Sequence, residues 1–331
     1  MDPAAVVKPE IAPTVAVKKT FRAFVPDQML MLPPSLDEWL PEGHLARFVA
    51  ELVDEVLDPG PILASYTEKR GFPPYDPRLM VRPLIHGYTT GVRSSRAIER
   101  ECTDDVAFRY LAAGAGPDYR SISRFRARHL DALAGIFTQS LRLAQRLGMV
   151  KMGRVALAVV DDAHQIITAA DVTTNPADAL NYTGMLDQPA ANTGIHARQA
   201  LLDAGYCSEA NLQAAAERKE EHGTDTFMAT GRLSHDERVS PAPRGRIPAD
   251  ATARERMARK LHTKPGRAAY AQRKAIVEPV FGRIMTCQDD RRLLLCGEAG
   301  ARAEWRLLAA CHNLRKIFGQ VGTPGPAAAR A

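Results

Sequence analysis

At Gly153 the hydrophobic period of the chain changes, and any fold it adopts has to accommodate that switch. Before it, apolar residues recur every three or four positions. Leu45, Phe48, Val49, Leu52, Val53, Val56 and Leu57 predict an amphipathic helix within Asp37 to Asp58. A second helix is expected from Arg78 to Thr90, where Pro83 kinks it or marks its first turn. A third, capped by Ser94 or Ser95, should run to about Ala112. The longest opens at Asp118 and ends near Leu147, with Ile122, Phe125, Leu133, Ile136, Phe137, Leu141 and Ala144 on its buried stripe. After Gly153 the runs Val155 to Val160 and Gln165 to Ala170 have strand length, and Asp161 to His164 between them reads as the turn of a β-hairpin.

The rest of the chain alternates. A helix is expected over 175–188, a strand at Ala200 to Leu202, a helix capped by Ser208, a strand at Thr226 to Thr230, a basic linker, then two more helices. That order predicts a mixed α/β fold: an all-helical domain at 21–153, followed at 154–320 by a mixed sheet flanked by helices. Residues 1–20 and 321–331, rich in Pro, Ala, Val and Gly without a period, are expected to be a disordered leader and tail.

Composition narrows the function. The chain has 331 residues, of which 45% are hydrophobic and 25% charged, enough for a buried core and suited to two domains. Its net charge is +6, and from Arg244 to Lys274 ten basic residues face two acids, so the surplus is concentrated there. Such a run suits phosphate-backbone contact, and equally a solvated linker. Five cysteines without a C-x-x-C pair indicate neither a disulfide framework nor a zinc ribbon, and fit a reduced compartment. No signal-peptide core is visible, and no apolar run nears the ~20 residues of a membrane span, so a cytoplasmic, nucleoid-associated location and no membrane partner are expected.

Two stretches carry candidate chemistry. Arg120, Arg124 and Arg128 form a basic ladder at the start of the longest predicted helix, after a Gly-containing turn. This suits a helix-turn-helix reader of a DNA groove, or the solvated face of an ordinary bundle. In Tyr270 to Gly282, Glu278 falls off the apolar stripe, near Arg273 and Lys274, and Pro279 follows it. A proline there should bend the helix or restart it at Glu278. The carboxylate could hold a metal beside a polyanion, or pair with Lys274 one turn earlier.

Taken together, the sequence resembles the DDE transposases of bacterial insertion sequences, in the branch with an InsH-like helical N-terminal domain and an RNase H-like catalytic domain. The resemblance rests on Gly71 to Arg78, Gly91 to Arg96, Pro117 to Ile122 with Phe125 to His129, Asp203-Ala-Gly-Tyr206, Ala229 to Arg232, Arg273 to Gly282, and Glu304-Trp305 with His312-Asn-Leu314. These runs lie in family order from about residue 21 to 320. It implies metal-dependent DNA strand cleavage and transfer, in which three carboxylates hold two Mg²⁺ ions about 3.5–4 Å apart. By the matching motifs, Asp203 and Glu278 are the second and third acids, catalytic residues and metal ligands, although Asp203 could also serve only the turn that Gly205 completes. Arg120, Arg124, Arg126, Arg128, Arg254, Arg256, Arg259, Lys260, Lys264, Arg267, Arg273 and Lys274 are the candidate DNA-phosphate contacts. The implied partner is double-stranded DNA at insertion-sequence ends, with a homo-oligomer or an intact transposase as a second partner.

One part of the pattern is missing. The family's first acid follows a run like Val155-Ala-Leu157, and here Ala158 stands in its place, as though a segment had been lost in frame. Asp162 shares a strand face with Ala158 and is the candidate substitute ligand, but it lies roughly 13 Å farther along at ~3.3 Å per residue, so the strand would have to slide by four residues; Asp161 points the other way. Met285 replaces the basic residue expected seven positions after Glu278, and Gln288-Asp-Asp290 replaces Arg-Gly-Phe, which weakens backbone contact. The resemblance therefore implies a transposase impaired in catalysis, or a non-catalytic DNA-binding remnant that restrains transposition.

Overall fold

The computed structural model describes residues 35–67, 73–156, 159–173, 177–231 and 245–322, with backbone alone at 154–156. The expected leader, Gly71, Leu157, Ala158, Asn175, Arg232 and the tail from 323 lie outside the described residues.

The helical half opens with α1 (Leu45–Glu51), whose last turn widens into a π-helical segment at Leu52–Val56, and a short α2 (Gly60–Leu63). Helix α3 (Pro77–Thr90) starts where the Asp76 carboxylate accepts the Arg78 N–H at 2.8 Å. Pro83 sits buried inside α3 and does not form its first turn, which begins at Pro77. Gly91 closes α3 at φ +90°, a left-handed conformation that costs glycine little.

Two long expected helices are each divided. Ser94 caps α4 (Ser95–Asp104) as expected, but Asp105 ends it. Its extended backbone and its carboxylate, which accepts the Phe108 N–H at 3.0 Å, begin α5 (Val106–Leu111) afresh. The expected 118–147 helix is α6 (Tyr119–Arg128) and α7 (Leu130–Arg146), separated by His129 at φ −116° and ψ 34°. His129 is buried between the Phe125 and Tyr66 rings, with Nε2 3.2 Å from the Tyr66 hydroxyl. Tertiary contacts thus hold this residue out of helical geometry, which local periodicity does not encode.

The sheet has the order β2-β1-β3-β4. Strands β1 (Arg154–Ala156), β3 (Gln199–Leu202) and β4 (Asp225–Met228) run parallel, and β2 (Val160–Asp161) is antiparallel to β1. The expected single strand Val155 to Val160 folds back on itself, pairing Ala156 with Val160 and Val155 with Asp161. Val159 at φ +49° turns the chain there, and the Gln165 to Ala170 run pairs antiparallel with β2 across the expected turn, through the Ile167–Val160 bridge and the hydrogen bonds from the Asp161 N–H to the Ile166 carbonyl and from the Thr168 N–H to the Val159 carbonyl.

Helix α8 (Tyr182–Thr193) follows a 3-10 turn at Asp178–Asn181, and α9 (Glu209–His222) starts at the Ser208 cap, as expected. The basic stretch is helix rather than linker. A capping box between Thr252 and Glu255 starts α10 (Ala253–His262), and Thr263 caps α11 (Lys264–Cys287). Helix α11 continues through Glu278 and Pro279 without restarting.

Helix α12 (Gly297–Val321) packs along α7 and α3, burying Leu307, Leu308, Cys311, Leu314 and Ile317. It also secures the hairpin. The Asn313 amide exchanges two hydrogen bonds of 2.9 Å with the Ile167 backbone, and His312 Nε2 lies 3.0 Å from the Gln165 carbonyl. The described residues, from 35 to 322, form one compact unit. The fold is mixed α/β, mostly helical, with a helical N-terminal region and a small, largely parallel sheet.

Candidate active site and nucleic-acid contacts

Asp203 follows directly after β3, at the carboxyl end of a parallel strand, where open α/β sheets commonly place functional groups. Its carboxylate accepts the Gly205 N–H at 3.2 Å and lies 3.8 Å from Arg273 Nη1 on α11. A Cβ on Gly205 would fall 2.6 Å from the Asp178 carboxylate, an exposed side-chain end that would have to move aside. The turn role considered for Asp203 is therefore realised, and its acid group is held toward a cation.

Glu278 stands exposed on α11 and makes no hydrogen bond or ion pair among the described residues, so the pair with Lys274 does not form. Five residues separate it from Arg273, about 140° around a regular helix. Met285, 52% exposed, lies only about 20° from Glu278 in the same projection. The side of α11 that presents the carboxylate thus presents a thioether where the resemblance puts a cation.

Among the described residues, no acid completes a group of three with Asp203 and Glu278. Ala158 lies outside the described residues. Asp161 is fully buried, and one carboxylate oxygen accepts the N–H groups of Lys151 (3.3 Å) and Met152 (2.7 Å) while the other accepts those of Ala163 (3.2 Å) and His164 (3.4 Å). Burial lifts its pKa above the ordinary carboxylate value, against the pull of those N–H donors. Asp162 lies in the turn beyond β2, beside a cleft lined by Arg283, Arg315 and Lys316. Among the described residues, no three His, Cys, Asp or Glu side chains are grouped so as to hold a metal ion. The donor set described does not fit the two-metal cage that the resemblance implies.

The candidate phosphate contacts fall into two groups. Arg120, Arg124 and Arg128 are exposed along α6. Arg120 meets the Tyr119 hydroxyl at 3.2 Å, and Arg128 bonds the Ser65 carbonyl at 2.6 Å above the Tyr66 ring. Lys264, Arg267 and Lys274 are exposed on α11. On α10, Arg254, Arg256 and Arg259 point their guanidinium groups at backbone carbonyls of Thr230, of Ala249 and Ala251, and of Arg246. Lys260 bonds Asp225 at 3.0 Å and the Thr226 carbonyl at 2.6 Å, over the Phe227 ring, which ties α10 to β4.

Arg126 corrects the sequence reading. Two residues on from Arg124, it points about 200° around α6, into the core. It is 3% exposed, hydrogen-bonds the Arg93 carbonyl, Ser95 and the Tyr88 hydroxyl, and lies 3.6 Å from Glu304. A guanidinium so enclosed cannot reach a phosphate in this structure.

Sequence reasoning also missed what Arg126 joins. The buried Glu304 carboxylate accepts from the Tyr88 hydroxyl (2.9 Å), Arg93 (3.0 Å) and the N–H groups of Leu294 (2.6 Å) and Leu295 (2.8 Å). Burial alone would raise its pKa; the Leu295 N–H, Arg93, Tyr88 and the Leu294 N–H together hold it below the usual value. Arg93 also bonds the Asp289 and Arg292 carbonyls and Asp290. The signal was present, since Arg93 and Glu304 both stand in runs that carry the resemblance.

The chain matches the Transposase domain (DUF772) over residues 34–128 and the Transposase DDE domain over residues 244–318. It belongs to the DDE transposases of insertion sequences. In this transposase the first match spans α1 to α6, and the second spans α10, α11 and most of α12 with Glu278 inside it. Asp203 and the β1–β2 hairpin lie between the two matches. No curated protein and no solved structure matches the transposase.

Proposed function

We propose that this transposase-like chain binds double-stranded DNA at insertion-sequence ends, and that its centre for strand cleavage and transfer is incomplete. The family works with divalent metal, and Asp203 and Glu278 are the two acids that the motifs assign to it. The observation that carries the reading is the state of Asp161, whose carboxylate serves four backbone N–H groups, two ahead of β1 and two in the turn after β2. Withdrawing it toward a metal would leave the buried Met152 N–H unsatisfied, at about 1–3 kcal/mol, and would release the other three to solvent.

DNA binding needs no third acid. It is supported by the exposed Arg120, Arg124 and Arg128 on α6 and by Lys264, Arg267 and Lys274 on α11. A homo-oligomer, or pairing with an intact transposase, would let such a chain occupy element ends without cutting them. No helix among the described residues is long and apolar enough to cross a membrane, which is compatible with work in the cytoplasm at the nucleoid.

The test uses a labelled duplex bearing the element's own inverted repeat, with Mg²⁺ or Mn²⁺, and compares the parent chain with Glu278→Gln. Retardation without nicking by either chain is the expected result. Nicking by the parent that Glu278→Gln abolishes would show a complete centre and refute the incomplete one.

A further inference from the structure

Between the turn after β2 and the facing sides of α11 and α12 lies a cleft of about 600 Å³, lined by Arg283, Arg315 and Lys316 together with Asp162, His164 and Gln165. Arg283 comes from α11, and Arg315 and Lys316 from α12. None of the three cations forms an ion pair among the described residues. Lys316 donates to the Gln165 side-chain oxygen at 2.8 Å, a neutral acceptor. Asp162 is the single acid among the lining residues, so the three cations outnumber it.

Two of the cations, Arg283 and Lys316, sense each other. Burial and then the charge of Arg283 push the Lys316 pKa down, and after burial the charges of Lys316 and Arg283 do the same to His312. Such mutual repulsion is relieved by an anion between them. The walls are preorganised for one, because Asn313 and His312 fix the hairpin to α12 and Gln165 bridges Lys316 to the Ala275 carbonyl on α11.

We infer that this cleft is a phosphate-binding subsite that takes the sugar-phosphate backbone of DNA, on a different face of α11 from Glu278. The face follows from helix geometry, since Arg283 lies five residues, about 140°, round from Glu278. The cation lost at Met285 on the Glu278 side is thus matched by one aimed elsewhere. The ligand class follows from size and charge. The cleft holds about twenty times a water's ~30 Å³ share, room for a stretch of backbone rather than one small ion. The choice of DNA over a free phosphate rests on the DNA-binding reading above.

The experiment is a salt series of duplex binding, read by fluorescence anisotropy with the full chain. Arg283→Gln/Arg315→Gln leaves the Lys316–Gln165 bond intact, and its thermal melt reports folding. Loss of two phosphate contacts should lower the slope of log affinity against log salt by nearly 2 units, and weaken binding at least tenfold near 0.1 M salt. An Arg120→Gln/Arg124→Gln variant is run beside it. If that pair flattens the slope and the cleft pair, still folded, does not, the cleft inference falls while DNA binding stands. If the parent retards no duplex, both fall. If inorganic phosphate raises the melting temperature of the parent but not of the cleft pair, and duplex binding is unchanged, the cleft serves a free anion and the inference is overturned.

Discussion

Arg93 and Glu304 meet at 3.0 Å with side chains 3% and 0% exposed, although 211 residues separate them in the chain. Tyr88 and Arg126 close the same cluster, so one carboxylate links the end of α3, helix α6, the 289–295 loop and α12. A buried ion pair of this kind is weak evidence of net stability, but breaking one side of it is costly because the partner charge stays behind.

Glu304→Gln should therefore destabilise the chain by about 3–5 kcal/mol, since Arg93 and Arg126 would lose their shared counter-charge. Urea unfolding followed by circular dichroism checks it. The pH dependence has a definite sign. Glu304 titrates below 4.5 when folded, so its contribution is fully present above pH 4.5 and is lost as pH falls through the folded value.

Acid should act through two buried histidines as well. Burial pushes His86 and His312 down to about 4 from an ordinary 6.5. Between those values the unfolded chain takes up protons that the folded chain refuses, so stability falls as pH drops from 6.5 to 4, on the order of 3 kcal/mol for each. His86 Nδ1 is buried without a hydrogen-bond partner, and its ring packs edge-on against Phe108. His86→Phe should keep that packing and flatten the acid limb of a melting-temperature profile; an unchanged limb would refute the assignment.

Removing the Asp161 carboxylate should loosen the hairpin. Asp161→Ala leaves the N–H groups of Lys151, Met152, Ala163 and His164 without their acceptor, a loss of at least 1–3 kcal/mol, roughly the cost of one buried donor. Asp161→Asn, which keeps one acceptor oxygen, should cost less. The order of the two urea midpoints is the measurement.

Arg124 and Arg126 are two residues apart and should behave oppositely. Arg124→Gln, on the exposed side of α6, should leave the melt unchanged and reduce the salt slope of DNA binding by about 1. Arg126→Met should instead lower the melting temperature, because the Glu304 cluster loses a member. Equal melts for the two variants would contradict the burial of Arg126.

Much of the architecture was legible because periodicity is a local property. The helices around Leu45, Arg78, Ser94 and Ser208, the strands at Ala200 and Thr226, and the long closing helix follow from side-chain spacing and capping chemistry alone. The divisions at Asp105 and His129 were not legible as breaks. Asp105 is a residue that can cap or continue a helix, and His129 is fixed in part by the Tyr66 ring and hydroxyl from another part of the chain. The turn at Asp161 to His164 was legible, and Val160 pairs with Ile167 across it; the second reversal, inside the Val155 to Val160 run, was not, because an apolar run specifies strand without saying where it turns.

By itself the sequence determined the mixed α/β order, the transposase family and the two acids its motifs assign, since these rest on residue identity and spacing. Only the tertiary structure decided which charges are available. Arg126 and Arg124 read alike as letters, yet one is enclosed with Glu304 and the other faces solvent. Asp161 and Asp203 are both acids beside strand ends, yet the first is taken up by backbone N–H groups and the second is held toward Arg273. Burial and hydrogen-bond satisfaction depend on how segments pack, with partners as distant as Glu304 for Arg126 and as near as Met152 for Asp161, and no periodic pattern carries them.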